Sequence, residues 1–203
     1  MKAECETKTT LLRVAMQLIS ESSYGSVSVD DICKKADVKK GSFYYFFPSK
    51  SDLMVAAMEA DWVARQPSLD CVFSSQTPPL ERLKRYCDGM LAGQAAKQES
   101  CGKVCGCPMI TLGAELSTQD EKIRVKALEI MQRYIRYFEA AVRDAVSEGL
   151  VETDNPRGVA QEIFAYTQGM MLQAKVSNTL ASLEGMLGGI RRLLGLQTGA
   201  VVA

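Results

Sequence analysis

The chain has 203 residues, 47% of them hydrophobic and 24% charged, and its 24 basic side chains balance 24 acidic ones. This is enough to bury a substantial core in one or two domains. The neutral total argues against a bulk polyanion binder but leaves room for a local basic patch.

Histidine is absent, which removes Ser-His and Cys-His catalysis and His-containing zinc sites together. No phosphate-cradling GxxxxGK[ST] or GxGxxG run is present, so no nucleotide cofactor is expected. No apolar run approaches the ~20 residues of a membrane span. The first twenty residues hold Glu4, Glu6 and Arg13 and no secretory apolar stretch, so no export signal is expected. Seven cysteines are then expected as reduced thiols in the cytoplasm.

In chain order the pattern is helical throughout, an all-α reading with about nine helices and no period-two strand pattern. Thr9 to Ser22 repeats Leu12, Ala15, Met16 and Ile19 on one face. Ser28 precedes a short helix with Asp31 three positions on, a weak capping box, and Val29, Ile32, Cys33 and Ala36 share its apolar face. Asp37-Val38-Lys39 breaks the pattern and predicts a turn. A second short helix follows, in which Phe43, Phe46 and Phe47 point to a core. Lys40, Ser42, Tyr44 and Tyr45 are left to solvent or a ligand, and Gly41 permits close approach of the backbone. Lys34 to Lys50 contains five lysines and one acid, Asp37, a helix-turn-helix with a basic face.

Ser49 predicts the N-cap of a helix running to Val63. Gln66 to Pro79, rich in Pro and Ser, reads as a loop. Leu80 to Lys97 is helical, Gln98 to Gly106 is a loop, and Pro108 opens a short helix. Ser117 and Thr118 before Asp120 and Glu121 predict the cap of a long helix from Ile123 to Ala145, ended by Gly149. Asn155-Pro156 starts another, through Met171, and a last helix spans Leu180 to Leu194. The last two are apolar and carry Gly169, Gly185, Gly188 and Gly189, which suggests a two-fold four-helix bundle between copies.

The stretch Val38-Lys39-Lys40-Gly41-Ser42-Phe43-Tyr44-Tyr45-Phe46-Phe47, continued by Pro48, Ser49, Lys50, Asp52 and Leu53, resembles the signature of the TetR family of bacterial transcription regulators. It departs from that signature at Tyr45, where His is common, and at Lys39, where a small residue is common. The resemblance implies a DNA-binding domain over residues 1–48 and a helical effector-binding and dimerisation domain over 49–203. It implies a homodimer on a palindromic double-stranded operator, most readily a repressor and not an enzyme. Ser28, Lys39, Lys40, Gly41, Ser42, Tyr44, Tyr45 and Lys50 would contact DNA. Ser42 and Tyr44 would face bases, and Tyr45 and Lys50 phosphates. Members commonly bind a small lipophilic effector between body helices. Here Tyr86, Met90, Met109, Met131, Tyr134, Phe138, Phe164 and Met170 could line such a cavity, or simply be core.

Cys101, Cys105 and Cys107 fall within seven residues. Buried small hydrophobes are one reading. Cys107, just before Pro108, would sit at a helix N-cap, where unpaired N–H groups favour a thiolate. The Gly-Cys pair there resembles a subgroup of these regulators that senses oxidants and electrophiles, with Cys101 and Cys105 able to resolve a sulfenic acid. A soft-metal sensor using all three thiolates, and a thiol oxidoreductase, are the rival functions.

Overall fold

The computed structural model describes residues 2–196, with side chains from Glu4 onward; the end of the expected second domain, 197–203, lies outside the described residues. The described chain is helical: α1 (Lys2–Glu21), α2 (Val29–Ala36), α3 (Lys40–Phe46), α4 (Lys50–Val72), α5 (Pro79–Cys101), α6 (Pro108–Leu116), α7 (Glu121–Ser147), α8 (Pro156–Ser177), α9 (Ala181–Glu184) and α10 (Met186–Leu193).

Two compact units emerge. One comprises the chain up to Gln66 with Cys107–Ile130, the other Pro67–Gly106 with the chain from Met131. In the first, α1 packs on α2 and α6, and α2 on α3. Leu11, Ile32, Phe43, Leu53, Met58 and Leu112 are its fully buried centre. In the second, α8 packs on α9 and α10, and α5 on α9 and α10. Phe138, Leu83, Ile163 and Ile190 lie at its core.

Local signals worked where side chain and backbone meet within one turn. Ser28 Oγ accepts from the Asp31 amide at 3.1 Å, and the Asp31 carboxylate accepts from the Ser28 amide at 2.8 Å. The reciprocal capping box is therefore complete, although sequence suggested only a weak one. Asp37 ends α2 in the left-handed region (φ 53°), which a short polar side chain tolerates. Ser49 caps α4 through the Asp52 amide. Asn155 caps α8 with Pro156 at its first position, and Gly149 takes φ +71° after α7.

Five expectations are corrected. α1 begins at Lys2, not Thr9, and α5 runs on to Cys101, so the expected loop Gln98–Gly106 begins only at Gly102. α4 runs through Pro67 to Val72, so the expected loop Gln66–Pro79 shrinks to residues 73–78. A helix-interior proline costs about 3 kcal/mol. Leu69 and Phe73, both buried just beyond it, regain an amount of that order, at about 1.5–3 kcal/mol per buried large side chain. The short connection is tied down by buried Arg82, whose guanidinium donates to Thr77 O (2.6 Å), Ser75 O (3.4 Å) and Asp144 (2.5 Å). α7 is capped by Asp120, which accepts from the Ile123 amide, rather than by Ser117 or Thr118, because Ser117 stays in helical conformation at the end of α6. The last helix is broken at Gly185 into α9 and α10, so ten helices are described instead of nine; glycine weakens a helix interior by about 1 kcal/mol.

The C-terminal glycines divide by role. A Cβ on Gly189 would overlap the Tyr166 hydroxyl, so this glycine lets α10 lie close on α8 within one chain. Gly169 and Gly185 have nothing within 4 Å of the Cβ position, and the fold around them does not need a glycine there.

Candidate nucleic-acid interface and thiol loop

The helix α3 is anchored on one side only. Phe43 is fully buried and Phe47 nearly so, while Phe46 is half-buried, more exposed than its core assignment implied. Tyr44 is 50% and Tyr45 73% exposed. Each ring is braced edge-on, Tyr44 against Phe43 (5.1 Å between centroids) and Tyr45 against Phe46 (4.9 Å). Two large aromatic side chains thus stand in solvent with restricted freedom, which reduces the entropy lost when a partner is bound. Lys39, Lys40 and Gly41 are exposed and Ser42 is half-buried. Gly41 has nothing within 4 Å of its Cβ position.

Two of the expected contact residues have part of their capacity committed. Ser28 uses its hydroxyl as the α2 cap and donates it to Asp31 at 2.6 Å, which holds the Asp31 carboxyl below the usual carboxylate range. Lys40 pairs with Asp30 at 2.8 Å, both well exposed, an arrangement that phosphate can displace.

Lys50 is placed differently from the phosphate contact inferred for it. Its ammonium donates to Tyr24 O (2.6 Å) and Val27 O (2.7 Å) and lies 3.7 Å over the Tyr24 ring. Burial depresses its pKa, partly offset by the Glu115 charge. Glu115, on α6, takes the other polarity of the same loop and accepts from the amides of Tyr24 (3.2 Å) and Gly25 (3.0 Å). The α1–α2 loop is therefore clamped by a cation on its carbonyls and an anion on its amides. Nothing local in the sequence announces this clamp, because Glu115 lies 90 residues from Gly25.

In the second unit the loop after α5 begins at Gly102 in the left-handed region (φ +71°). Asn178, the C-cap of α8, holds it: Val104 N donates to Asn178 Oδ1 (2.9 Å), and Asn178 Nδ2 donates to Gly102 O (3.2 Å). Gln98 reaches back to Asn178 O (2.8 Å). Buried Gln94 pairs with both polar groups of Gly106 (3.0 and 3.2 Å). Gly106 itself has φ +69°, and its Cβ position lies 3.2 Å from the Lys175 side chain. Asn178 and Gln94 were invisible as loop anchors in the sequence.

Within that loop the Cys101 and Cys105 sulfurs lie 4.0 Å apart. Cys101 is exposed and Cys105 buried. Cys107 belongs to the other unit and occupies the N-cap of α6, as its spacing suggested. The amides of Ile110 and Met109 do favour its thiolate, but desolvation outweighs them and pushes the thiol up. Cys107 is only partly covered, yet at this helix end desolvation works against the thiolate that the position alone would favour. The soft-metal reading needed three thiolates together; among the described residues no group of three metal-ligating side chains exists.

The expected effector residues separate. Tyr86, Phe138 and Phe164 are buried, and Tyr86 meets Phe138 edge-on at 4.9 Å. Tyr134 stacks on Phe164 at 6.1 Å. Phe73, missed because it fell in the supposed loop, lies 5.7 Å from Tyr86 and 5.5 Å from Phe138. Met90, Met131 and Met170 are half-buried in this unit. Met109 is buried in α6 of the other unit.

Comparison with known proteins matches this architecture. The model of bacterial regulatory proteins of the tetR family covers residues 11–57, and that of the tetracyclin repressor-like C-terminal domain covers 79–187. The transcriptional regulator AcuR of Cereibacter sphaeroides is 30% identical, covering 82% of this chain and 75% of its own. The transcriptional repressor NemR of Escherichia coli is 28% identical, with 94% and 95% covered. The crystal structure of NemR in its reduced form superposes with a TM-score of 0.79 at 26% identity, over 93% of this chain and 98% of that one. The relatives so named are transcription regulators rather than enzymes. With the second model alone covering more than half of its length, the chain belongs to the TetR family of DNA-binding transcription regulators.

Proposed function

We propose that this regulator is a cytoplasmic homodimeric repressor that reads a palindromic operator with α3 and is released by a small-molecule effector or by thiol chemistry at the loop Cys101–Cys107. The observation that carries the DNA reading is the half-anchored α3: buried phenylalanines fix it, and exposed Tyr44, Tyr45 and Gly41 remain for a partner. Ser42 and Tyr44 would meet base edges, and Lys39, Lys40 and Tyr45 phosphates, with Ser28 at the edge of the contact. Residues 1–48 would form the DNA-binding head and 49–203 the regulatory body. Half-buried Met90, Met131, Met170 and Tyr134, in the same unit as the aromatic cluster, would admit a lipophilic ligand. No helix is long and apolar enough to cross a membrane among the described residues.

Support for a dimer comes from α8. Ala165, Gly169, Leu172 and Val176 follow at steps of three and four on one face and are all exposed, Val176 to 80%. A second copy related by a two-fold axis would cover this row. The double substitution Leu172→Glu with Val176→Glu is expected to leave a folded monomer in sedimentation equilibrium, with operator affinity reduced at least about a hundredfold because a single head binds one half-site. A variant that stays dimeric would remove α8 from the interface.

The direct test of the DNA reading is a gel shift on the segment upstream of the protein's own gene, with an excess of unrelated duplex. A retarded band that survives the competitor is expected. Equal binding to both duplexes at every salt concentration would overturn sequence-specific regulation.

A further inference from the structure

We infer that Cys101 and Cys105 form a peroxide-sensing pair that closes into an intraloop disulfide and releases the C-terminal end of α8. This rests on the thiol branch of the proposed function and assigns it to two particular sulfurs. Cys101 ends α5 and is exposed, with its thiol donating to Lys97 O at 3.1 Å. Cys105 is buried, and its sulfur is 4.0 Å from that of Cys101. The outer sulfur meets an oxidant first, and the inner one is near enough to resolve the product. A disulfide at about 2.05 Å requires the two to approach by roughly half their present separation. Gly102, exposed and left-handed with open space around it, supplies the freedom for that movement.

The chemistry balances with a hydroperoxide as the oxidant. The Cys101 sulfur attacks ROOH, the O–O bond breaks, ROH departs, and Cys101 becomes a sulfenic acid. The Cys105 sulfur then attacks the Cys101 sulfur, the S–O bond breaks, and the hydroxide leaves with the thiol proton as water. The two thiols lose two electrons to the peroxide. A thiol reductant reverses the step by exchange.

The mechanical consequence follows from what lies between the two cysteines. Gly102 O and Val104 N, the groups that hold Asn178, belong to the three residues closed into the new ring. Drawing the ring shut pulls them off Asn178, which is the left-handed C-cap of α8. The last turn of α8, with Val176 on its outer face, then loses its anchor. A signal at the thiols is converted into a change at the proposed dimer face.

The reduced protein should be exposed to hydrogen peroxide, then studied by intact mass spectrometry, peptide mapping without reductant, and operator binding. The expected result is a loss of about 2 Da, a Cys101–Cys105 cross-linked peptide, and operator affinity about tenfold weaker, all restored by dithiothreitol. Cys101→Ser, at an exposed position, should bind the operator normally when reduced and lose the response. Cys107→Ser should keep it. Mass gains of about 16 Da without a cross-link, or a cross-link that leaves operator affinity unchanged, would overturn the inference. Failure of the untreated protein to bind DNA would instead strike the proposed function, since the cross-link is read by mass alone.

Discussion

Gly41→Glu is expected to abolish operator binding while leaving the protein as stable as before. A glycine that the fold needs shows either a left-handed backbone or a crowded Cβ position, and Gly41 shows neither. In the unliganded protein, replacing it should even help, because glycine lowers helix propensity by up to about 1 kcal/mol and an acid in the first turn of α3 suits the helix dipole. Within the chain nothing calls for a small neutral residue here, so any such requirement is set by the partner that α3 meets. Against DNA, a carboxylate at this place would meet phosphate charge and occupy the space of the backbone approach. A loss of at least about a hundredfold, near 3 kcal/mol, is expected. Fluorescence anisotropy and a thermal melt on the same sample measure both halves. Wild-type affinity in this variant would mean that α3 does not lie against the duplex.

The second large effect concerns Lys50. Lys50→Met removes two short hydrogen bonds from a charged donor and the cation from the face of Tyr24. Charge-assisted hydrogen bonds contribute about 1.5–3 kcal/mol each, and partial exposure with the retained apolar stem brings the expected total to about 2 kcal/mol. For a chain of this size that is a fall in melting temperature of roughly 4–8 °C. DNA affinity should fall as well, because the loop joins α1 to α2 within the proposed DNA-binding head, but the slope of log K against log salt should not change. Lys39→Ala should do the opposite, with an unchanged melt and a slope shallower by about one unit or less. Were Lys50→Met to flatten the slope as Lys39→Ala does, its ammonium would be at a phosphate after all.

The same lysine sets a pH dependence with a definite sign. Its pKa is lower in the folded chain than in the unfolded one, so the unfolded state binds the proton more readily. Stability from this group therefore rises with pH only in the window between the depressed folded value and the ordinary lysine value.

What could be read from the sequence follows the range of the interactions involved. The capping box at Ser28, the turn at Asp37 and the cap at Ser49 are settled within three residues of chain, and the sequence shows them. The exposed face of α3 and the burial of Phe43 and Phe47 follow from aromatic spacing over one turn, whereas half-buried Phe46 does not. Pro67 misled because local propensity is a weak prior against the packing of Leu69 and Phe73. The thiol of Cys107 misled for a related reason: position at a helix end can be read from sequence, but desolvation depends on everything packed around it. Glu115 on the Tyr24–Gly25 amides, Asn178 on the cysteine loop and Gln94 on Gly106 join segments far apart in the chain. A single glutamate, asparagine or glutamine carries no pattern that names such a partner.

The two-sided grip on the α1–α2 loop also limits how this protein can be cut and recombined. A fragment ending at Pro48 retains Tyr24, Gly25 and Val27 but loses both Lys50 and Glu115, and with them the side-chain partners of two amides and two carbonyls. A graft of this head onto another regulator's body would have to carry a lysine at the start of the fourth helix and a carboxylate near the end of the sixth. Modular exchange in such a scaffold is therefore governed by two charged side chains that lie outside the helix-turn-helix segment they hold.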